Sequence, residues 1–296
     1  MTEAAGPDLP PEFDPDYYRG QYPDLAALSD EAARQHFLDW GAKEGRVASP
    51  VALRDAFLSD VLAQVTGPML EIGPFCRPLV RGDNVRYLDI MDAAALRARA
   101  EEVGLDTTDC PDEIHYTGNL GEIAERFDAV VSSHSVEHQP DLVQHLKDVA
   151  DLLTPNGRYY LIIPDKRYCF DALIPESTIA NVLYAHEQKR TVHTLQSVIE
   201  HRAMVTHNDS EMHWNGQHGP FPPDEQARRV RLALEEYEAA AGGYLDVHAW
   251  YWTPETFRQT IGVVYHLGLA DLLPVRVYQT PRPRFEFCAV LEKTAR

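Results

Sequence analysis

The 296-residue sequence predicts an α/β fold in which a mostly parallel sheet is covered by helices on both faces. Three observations predict it. Short apolar segments alternate with helical segments from about residue 67 to residue 165. The alternation returns near residue 250 and ends in two closely spaced apolar segments. The first apolar segment ends in glycine, as strands that bind ligands in such folds often do.

We predict that residues 1–66 form a helical appendage and that residues 67–296 form the main domain. One helix is predicted from Ala32 to Trp40, with Ser29 or Asp30 as its N-cap and Gly41 as its stop. A second helix is predicted from about Pro50 to Val65. The boundary is placed where the strand-like segments begin.

Seven strands are predicted in the main domain. In chain order they are Met69–Ile72, Val85–Ile90, Ile114–Tyr116, Phe127–Ser132, Arg158–Ile163, Val275–Gln279 and Phe285–Leu291. The last two are joined by a short connection, which favours an antiparallel pair. Helices are predicted over 93–103, over 142–153 and after the N-cap Thr253. A helical insertion, about residues 165–250, follows strand five.

Composition excludes several classes of partner. The net charge of −19 opposes binding to nucleic acid and to anionic membrane surfaces. No apolar run reaches the roughly 18–20 residues of a membrane span, and the N-terminus lacks a secretory signal, so we expect a cytoplasmic protein. Four scattered cysteines, Cys76, Cys110, Cys169 and Cys288, are expected to be free thiols. The oligomeric state is left open.

The strongest local signal joins the first two strands. Leu70-Glu71-Ile72-Gly73-Pro74 ends the first, and Asp89 lies near the end of the second. A glycine there lets a ligand approach the backbone closely, and a carboxylate at the next strand end can accept hydrogen bonds from ribose hydroxyls. The alternative is that Gly73-Pro74 is only a turn and Asp89 a helix cap.

In its ordered set of motifs, the sequence resembles class I S-adenosylmethionine-dependent methyltransferases. The matching segments are Glu71–Pro74, Asp89, Phe127–His134, Glu137-His138, Leu152–Gly157 and Trp252–Phe257. The resemblance implies a Rossmann-like seven-stranded sheet with strand seven antiparallel. It also implies S-adenosylmethionine as the cofactor, lying across strands one and two.

The same resemblance assigns cofactor contacts. It places Glu71, Gly73 and Pro74 at the methionine end, Asp89 at the ribose, and Asn119 and Leu120 near the adenine, while Ser132 and Ser133 close the pocket from strand four. One departure is that a single glycine stands where the family usually has two or three, because Pro74-Phe75-Cys76 follows Gly73.

A narrower resemblance concerns the acceptor. Glu71–Pro78, Ser132–Leu142 and Ile163–Asp171 are similar to methyltransferases encoded with bacterial surface-polysaccharide enzymes, and Tyr17–Arg46 is similar to a small module of glycan enzymes. The expected reaction is therefore O-methylation of a sugar or glycan-related small molecule. Such a reaction needs a base, for which His134 and His138 are the candidates. The alternative is that both only pack or cap a helix start.

Acceptor-binding residues are expected after strand five and in the insertion. Asp165, Lys166 and Arg167 could hold a carboxylate or phosphate, or pair with one another in a solvated loop. The histidine-rich stretch predicts a polar acceptor-binding lid containing His207, His213 and Trp214, rather than a metal site, because the histidine spacings match no standard zinc pattern. Trp250 and Trp252 either stack on a sugar or, as we favour, lie in the core.

Two other functions stay open. A nicotinamide-dependent dehydrogenase or epimerase would need G-x-G-x-x-G after strand one, and Glu71–Pro78 does not supply it. A non-catalytic cofactor-binding module could organise glycan assembly through residues 13–46.

Overall fold

The computed structural model describes Leu9 and residues 13–295. Its centre is a seven-stranded sheet with the order β3-β2-β1-β4-β5-β7-β6. Strands β1 to β5 are parallel to one another, and β7 is antiparallel to both β5 and β6. The strands are β1 (Met69–Ile72), β2 (Val85–Asp89), β3 (Tyr116–Thr117), β4 (Phe127–Ser133), β5 (Leu153–Pro164), β6 (Leu272–Val277) and β7 (Glu286–Lys293). The predicted Rossmann-like, mostly parallel sheet is confirmed.

The described residues form ten α-helices, and helices pack on both faces of the sheet. They are α1 (Pro15–Gln21), α2 (Asp30–His36), α3 (Arg54–Gln64), α4 (Ala93–Glu102), α5 (Leu142–Leu152), α6 (Ile179–Glu187), α7 (Leu195–Ala203), α8 (Ser210–Trp214), α9 (Pro223–Ala240) and α10 (Pro254–His266). Side chains alternate along the strands, so Val130 joins the core under α5 and α10 while Val131 joins the core under α3. Both faces are therefore buried, as a parallel sheet requires.

Strand β5 is longer than its predicted span. It begins at Leu153, directly after α5, instead of at Arg158. Leu153 pairs with Phe127, and the extra residues up to Arg158 are absorbed by an irregularity in the pairing, where Asn156 has a positive φ of 62°. The segment from Thr154 to Gly157 therefore bulges within the strand instead of forming a separate turn.

The predicted appendage consists of two parts. Helices α1 and α2 surround a small core of their own that includes Tyr18, Ala33 and Phe37. Helix α3 packs Phe57 and Val61 against the sheet instead. The predicted helix from residue 32 to residue 40 is split between α2 and a π-helical turn, Phe37–Gly41, and the one from residue 50 to residue 65 is split between a 3₁₀ turn, Pro50–Ala52, and α3.

The insertion after β5 is helical, as predicted, and contains α6 to α9. Helices α7 and α9 pack against each other, with Arg202 paired to Glu236 at 2.9 Å. Helix α6 packs on α5, and His186 pairs with the α5 cap Asp141 at 2.9 Å. Over residues 13–295, no helix combines the length and apolar character needed to cross a bilayer.

The expectation of four free thiols is wrong for two of them. Cys76 and Cys110 form a disulfide, whereas Cys169 and Cys288 are free and buried. Cys76 follows β1 and Cys110 precedes β3, at a sequence separation of 34. The folded chain brings these two loops together beside α4, which the spacing of scattered cysteines does not reveal.

Candidate active site

A cavity of about 630 Å³ opens where the carboxyl ends of β1, β2 and β4 meet. Its volume is typical of small-molecule sites, roughly 300–1,000 Å³. Strand ends, the turn after β4, α5 and the insertion all contribute to the lining, whose charged residues are Asp89, Asp141, Asp148, Asp246, Arg99 and Arg190. This excess of carboxylates favours a positively charged ligand.

Gly73 and Asp89 lie side by side in this lining. The Gly73 N–H donates to the Leu88 carbonyl at 2.9 Å, and Gly73 has a φ of +69°, which a residue with a side chain adopts only at a cost. The Asp89 carboxylate accepts hydrogen bonds from the Phe75 N–H at 3.3 Å and the Ile90 N–H at 2.7 Å. Burial raises the pKa of Asp89, and these donors oppose that shift.

Four of the eight predicted cofactor residues line the cavity: Gly73, Asp89, Asn119 and Leu120. Glu71, Pro74, Ser132 and Ser133 are not among the described lining residues. The Glu71 carboxylate is buried and accepts hydrogen bonds from the N–H groups of Leu79 and Val80 at 2.8–3.1 Å.

The buried polar side chains of Glu71 and Ser132 both have partners within the protein. Burial raises the pKa of Glu71 to about 7, although its backbone donors oppose the shift. Ser132 Oγ lies 2.8 Å from the Tyr159 hydroxyl, inside the core. Glu71 therefore supports the loop after β1, and Ser132 belongs to a network beneath the cavity.

His134 lines the cavity directly after β4. Its φ of +49° is unusual for a residue with a side chain, and its N–H donates to the Ile162 carbonyl at 2.9 Å. Its Nε2 lies 2.7 Å from the Glu286 carboxylate, which also pairs with Arg54 at 2.9 Å. With the ring proton on the Nε2 that faces Glu286, the His134 Nδ1 is free to accept a proton, and it lies 3.7 Å from the Glu137 carboxylate.

His138 also lines the cavity, in the 3₁₀ turn Val136–His138. Its Nδ1 forms an ion pair with Asp246 of the insertion at 2.9 Å, and its ring meets the His248 ring edge-on at a centroid distance of 4.7 Å. Burial lowers the pKa of His138, but Asp246 and the nearby Glu137 more than offset this, so the net shift is upward.

None of the six predicted acceptor residues belongs to the described lining of the cavity. Asp165 is fully buried and forms a bidentate pair with Arg167, and it also accepts a hydrogen bond from Thr280 at 2.6 Å. Lys166 is buried too, and its Nζ donates to the Ala172 carbonyl at 3.2 Å. Asp165 and Arg167 therefore hold each other, and Lys166 holds the loop after β5. The described lining of the cavity includes none of the three.

The predicted lid residues form a second separate group. Trp214 stacks on Tyr168 at 3.6 Å, and the rings of His207 and His213 stack at 4.2 Å. His213 Nδ1 lies 2.8 Å from His218 Nδ1, so these imidazoles are occupied with one another. This group also lies outside the described cavity lining. Trp250 and Trp252 are buried in the core, as favoured from the sequence.

Sequence reasoning missed several residues that the fold brings to the site. The lining includes Ser135, Arg190, Thr191, Tyr244 and Asp246. Four of them come from the insertion, which has no strand ends to mark ligand-facing positions. Glu286, the partner of His134, lies on β7 and is distant in sequence, by 152 residues. No local pattern could have identified it.

Residues 72–161, from the end of β1 through most of β5, match a family described as the methyltransferase domain. Over these residues, which make up less than a third of the chain, the sequence is similar to that family. This segment carries the four cavity-lining cofactor candidates and both histidine candidates. Together with the fold, the match supports S-adenosylmethionine as the cofactor and an S-adenosylmethionine-dependent methyltransferase activity.

Several solved methyltransferase structures resemble the fold. One, from Mesorhizobium loti, is 24% identical, with 39% of this chain and 55% of that chain covered and a TM-score of 0.28. CalS10 of Micromonospora echinaspora, an amino pentose methyltransferase, is 18% identical over 41% of this chain and 53% of its own, with a TM-score of 0.28. A third structure, described as that of an S-adenosylmethionine dependent methyltransferase from Listeria monocytogenes, is 14% identical. The match covers 82% of this chain and 98% of that chain, with a TM-score of 0.42.

At these sequence identities, the likeness to the solved structures concerns the fold alone. The chain spans about half the length of the Mesorhizobium and Micromonospora proteins. Among curated proteins, none matches the sequence. The acceptor is therefore argued from the residues of this chain.

Proposed function

We propose that the protein transfers a methyl group from S-adenosylmethionine to a hydroxyl group of a sugar or glycan-related small molecule. The observation that carries this proposal is the position of Gly73 and Asp89 in one acidic cavity, at adjacent strand ends of the segment that matches the methyltransferase family. The acidic lining suits a sulfonium ion, and the bare backbone at Gly73 admits a ligand close to β1.

In this proposal Asp89 holds the ribose and Gly73 borders the methionine end, while Asn119 and Leu120 border the adenine. We assign Glu71 and Pro74 to shaping the loop after β1, because the Glu71 carboxylate already binds two backbone N–H groups of that loop. Ser132 and Ser133 then support the pocket from within β4. The bound cofactor supplies an activated methyl group, so the protein's own tasks are orientation, exclusion of water and proton removal.

His134 is the proposed base. Its Nε2–H donates to Glu286, which orients the ring, and its Nδ1 takes the acceptor hydroxyl proton as the oxygen–methyl bond forms. Its left-handed backbone conformation fits a constrained functional position. The insertion completes the acceptor side with Thr191, Tyr244 and Asp246, whose polar atoms suit a polyhydroxylated molecule.

The cellular assignments are part of the proposal. A role in polysaccharide biosynthesis rests on the resemblances of the sequence. A cytoplasmic location fits the two buried free thiols, while the Cys76–Cys110 disulfide is the observation that speaks against it. Cell fractionation, combined with thiol labelling of Cys76 and Cys110, tests the location separately.

The test of the reaction combines binding with turnover. Calorimetry should detect S-adenosylmethionine and not NAD, and labelled cofactor should methylate a fraction of extracted sugars or glycan precursors. His134→Asn retains a residue that tolerates the left-handed backbone, so it should bind the cofactor normally and lose roughly 10²–10⁴-fold in kcat. Glu286→Gln should reduce kcat in the same direction. Normal turnover in His134→Asn would assign the base elsewhere.

Two results would favour the competing functions. Binding of NAD in preference to S-adenosylmethionine would point to a dehydrogenase or epimerase. Cofactor binding without transfer to any acceptor fraction would point to a non-catalytic module.

A further inference from the structure

Glu137 is a buried carboxylate without a hydrogen-bond partner. Its side chain is fully buried, and neither carboxylate oxygen accepts a hydrogen bond among the described residues. Its backbone carbonyl accepts hydrogen bonds from the N–H groups of Ala249 and Trp250, at 2.7 and 3.2 Å, so its position is fixed. An uncompensated buried charge is costly, and a bound cation is one way in which proteins offset it.

Two histidines surround this carboxylate. His138 Nε2 lies 3.9 Å from Glu137 Oε1. The third member, His248, is buried and belongs with Glu137 and His138 to a group whose nitrogen and oxygen ligand atoms all lie within 4.8 Å of one another. Ligand atoms bound to one zinc-sized ion lie roughly 3.3–4 Å apart, so only a small contraction is needed.

Each histidine is already held by a second carboxylate. His138 Nδ1 is paired with Asp246 at 2.9 Å, and His248 Nδ1 with Asp171 at 2.7 Å. When each ring carries its proton on the Nδ1 that faces a carboxylate, the Nε2 lone pair is available to a metal ion. A histidine whose far nitrogen is hydrogen-bonded to a carboxylate is the usual arrangement in protein metal sites.

We propose that Glu137, His138 and His248 bind a divalent transition-metal ion of the zinc type. Two imidazoles and a carboxylate form a common ligand set for such ions and leave a position open. Because His138 lines the cavity, the cavity gives the ion an entry path.

A neighbouring group of residues is less suited. Asp171, His201 and His248 also lie within 4.8 Å of one another. His201 Nδ1 accepts a hydrogen bond from the His248 N–H at 3.1 Å, which uses its lone pair, and Asp171 is already the partner of His248. These residues therefore support the site as outer groups.

The cation would lie beside His134, whose Nδ1 is 3.7 Å from Glu137 Oε1. An acceptor hydroxyl bound at the open position would lose its proton more readily, because a cation lowers the pKa of a bound hydroxyl group. This consequence rests on the proposed function, whereas metal binding by the three residues does not.

The direct test is a titration of chelator-treated full-length protein with Co²⁺, followed by displacement with Zn²⁺. We expect one Co²⁺ per chain with visible absorption of a nitrogen- and oxygen-ligated ion, and its loss on addition of Zn²⁺. Glu137→Gln and His248→Ala should each weaken binding by at least roughly 100-fold, and Asp246→Asn by roughly 10–100-fold. His207→Ala, in the other histidine group, is the matched control and should bind like the wild type.

Stability measurements keep the test decisive if a variant folds poorly. Without metal, Glu137→Gln should be more stable than the wild type because it removes an unpaired buried charge, and Zn²⁺ should stabilise only the wild type. Absence of Co²⁺ binding, or its loss in His207→Ala instead, would overturn the proposal. Calorimetry of the metal-free protein with S-adenosylmethionine tests the cofactor pocket separately.

Discussion

The pH dependence of folding stability tests the buried network beneath the cavity. His145, on α5, is buried, and its Nε2 lies 3.1 Å from the Tyr159 hydroxyl, which is 2.8 Å from Ser132 Oγ. Burial lowers the pKa of His145 from 6.5 to about 4, because the charged ring would lose its hydration. The folded protein therefore keeps this imidazole neutral.

The sign of the effect follows from proton uptake. Between pH 6.5 and 4 the unfolded chain binds a proton at His145 that the folded chain does not bind, so the free energy of unfolding falls as the pH falls. Above pH 6.5 the contribution is fully present. Each pH unit of that interval corresponds to about 1.4 kcal/mol, which gives a loss of about 3 kcal/mol by pH 4.

Urea unfolding of the wild type and His145→Gln between pH 4 and pH 8 measures this difference. Burial also lowers the pKa of His193 and of His201, so the wild-type curve contains their contributions as well. The comparison isolates His145, and the variant should lose about 3 kcal/mol less across the interval. His266→Gln changes an exposed histidine and should follow the wild type. Parallel curves for the wild type and His145→Gln would refute the reasoning.

Three further substitutions test contacts outside the cavity. Arg167→Met removes the bidentate partner of the buried Asp165 and should lower the free energy of unfolding by roughly 3–5 kcal/mol in urea titrations; a loss below 1 kcal/mol would contradict the buried ion pair. Ala241→Gly removes the strain of a left-handed residue (φ 49°) after α9, so the free energy of unfolding should rise by up to about 1 kcal/mol and the melting temperature should rise with it. A lower melting temperature would contradict this conformation. Gly45→Ala would place a Cβ against the Trp214 ring at a φ of +68°, so proteolysis of residues 13–48 should accelerate, and unchanged cleavage would contradict that contact.

The sheet could be predicted because its signal is local. The buried strand Phe127–Ser133 contains the short apolar run Ala129-Val130-Val131. Thr253 and Pro254 predict a helix start, and the structure shows a capping box there. Strand ends are less certain from sequence, since β5 extends back to Leu153 through a bulge that depends on its pairing with β4. Local propensity carries no information about such pairing.

Only some residues of the candidate site could be predicted from the sequence. Gly73 and Asp89 could be found because strand ends of a parallel sheet meet at one edge, which is a topological rule. The partner of His134 could not, because Glu286 approaches through an antiparallel strand far along the chain. The contact between Asp246 of the insertion and His138 could not be predicted either, because it depends on how the insertion folds. After β5, Asp165 and Arg167 form a buried ion pair with each other and are not available to a ligand.

Calorimetric titration with S-adenosylmethionine tests the central claim most directly. The wild type should bind one equivalent, and Asp89→Ala should bind about 10- to 100-fold more weakly, since charge-assisted hydrogen bonds contribute about 1.5–3 kcal/mol. Asp83→Ala removes an exposed carboxylate before β2 and should leave the affinity unchanged. No heat of binding in the wild type, or equal affinity in Asp89→Ala, would contradict the assignment of the cavity to this cofactor.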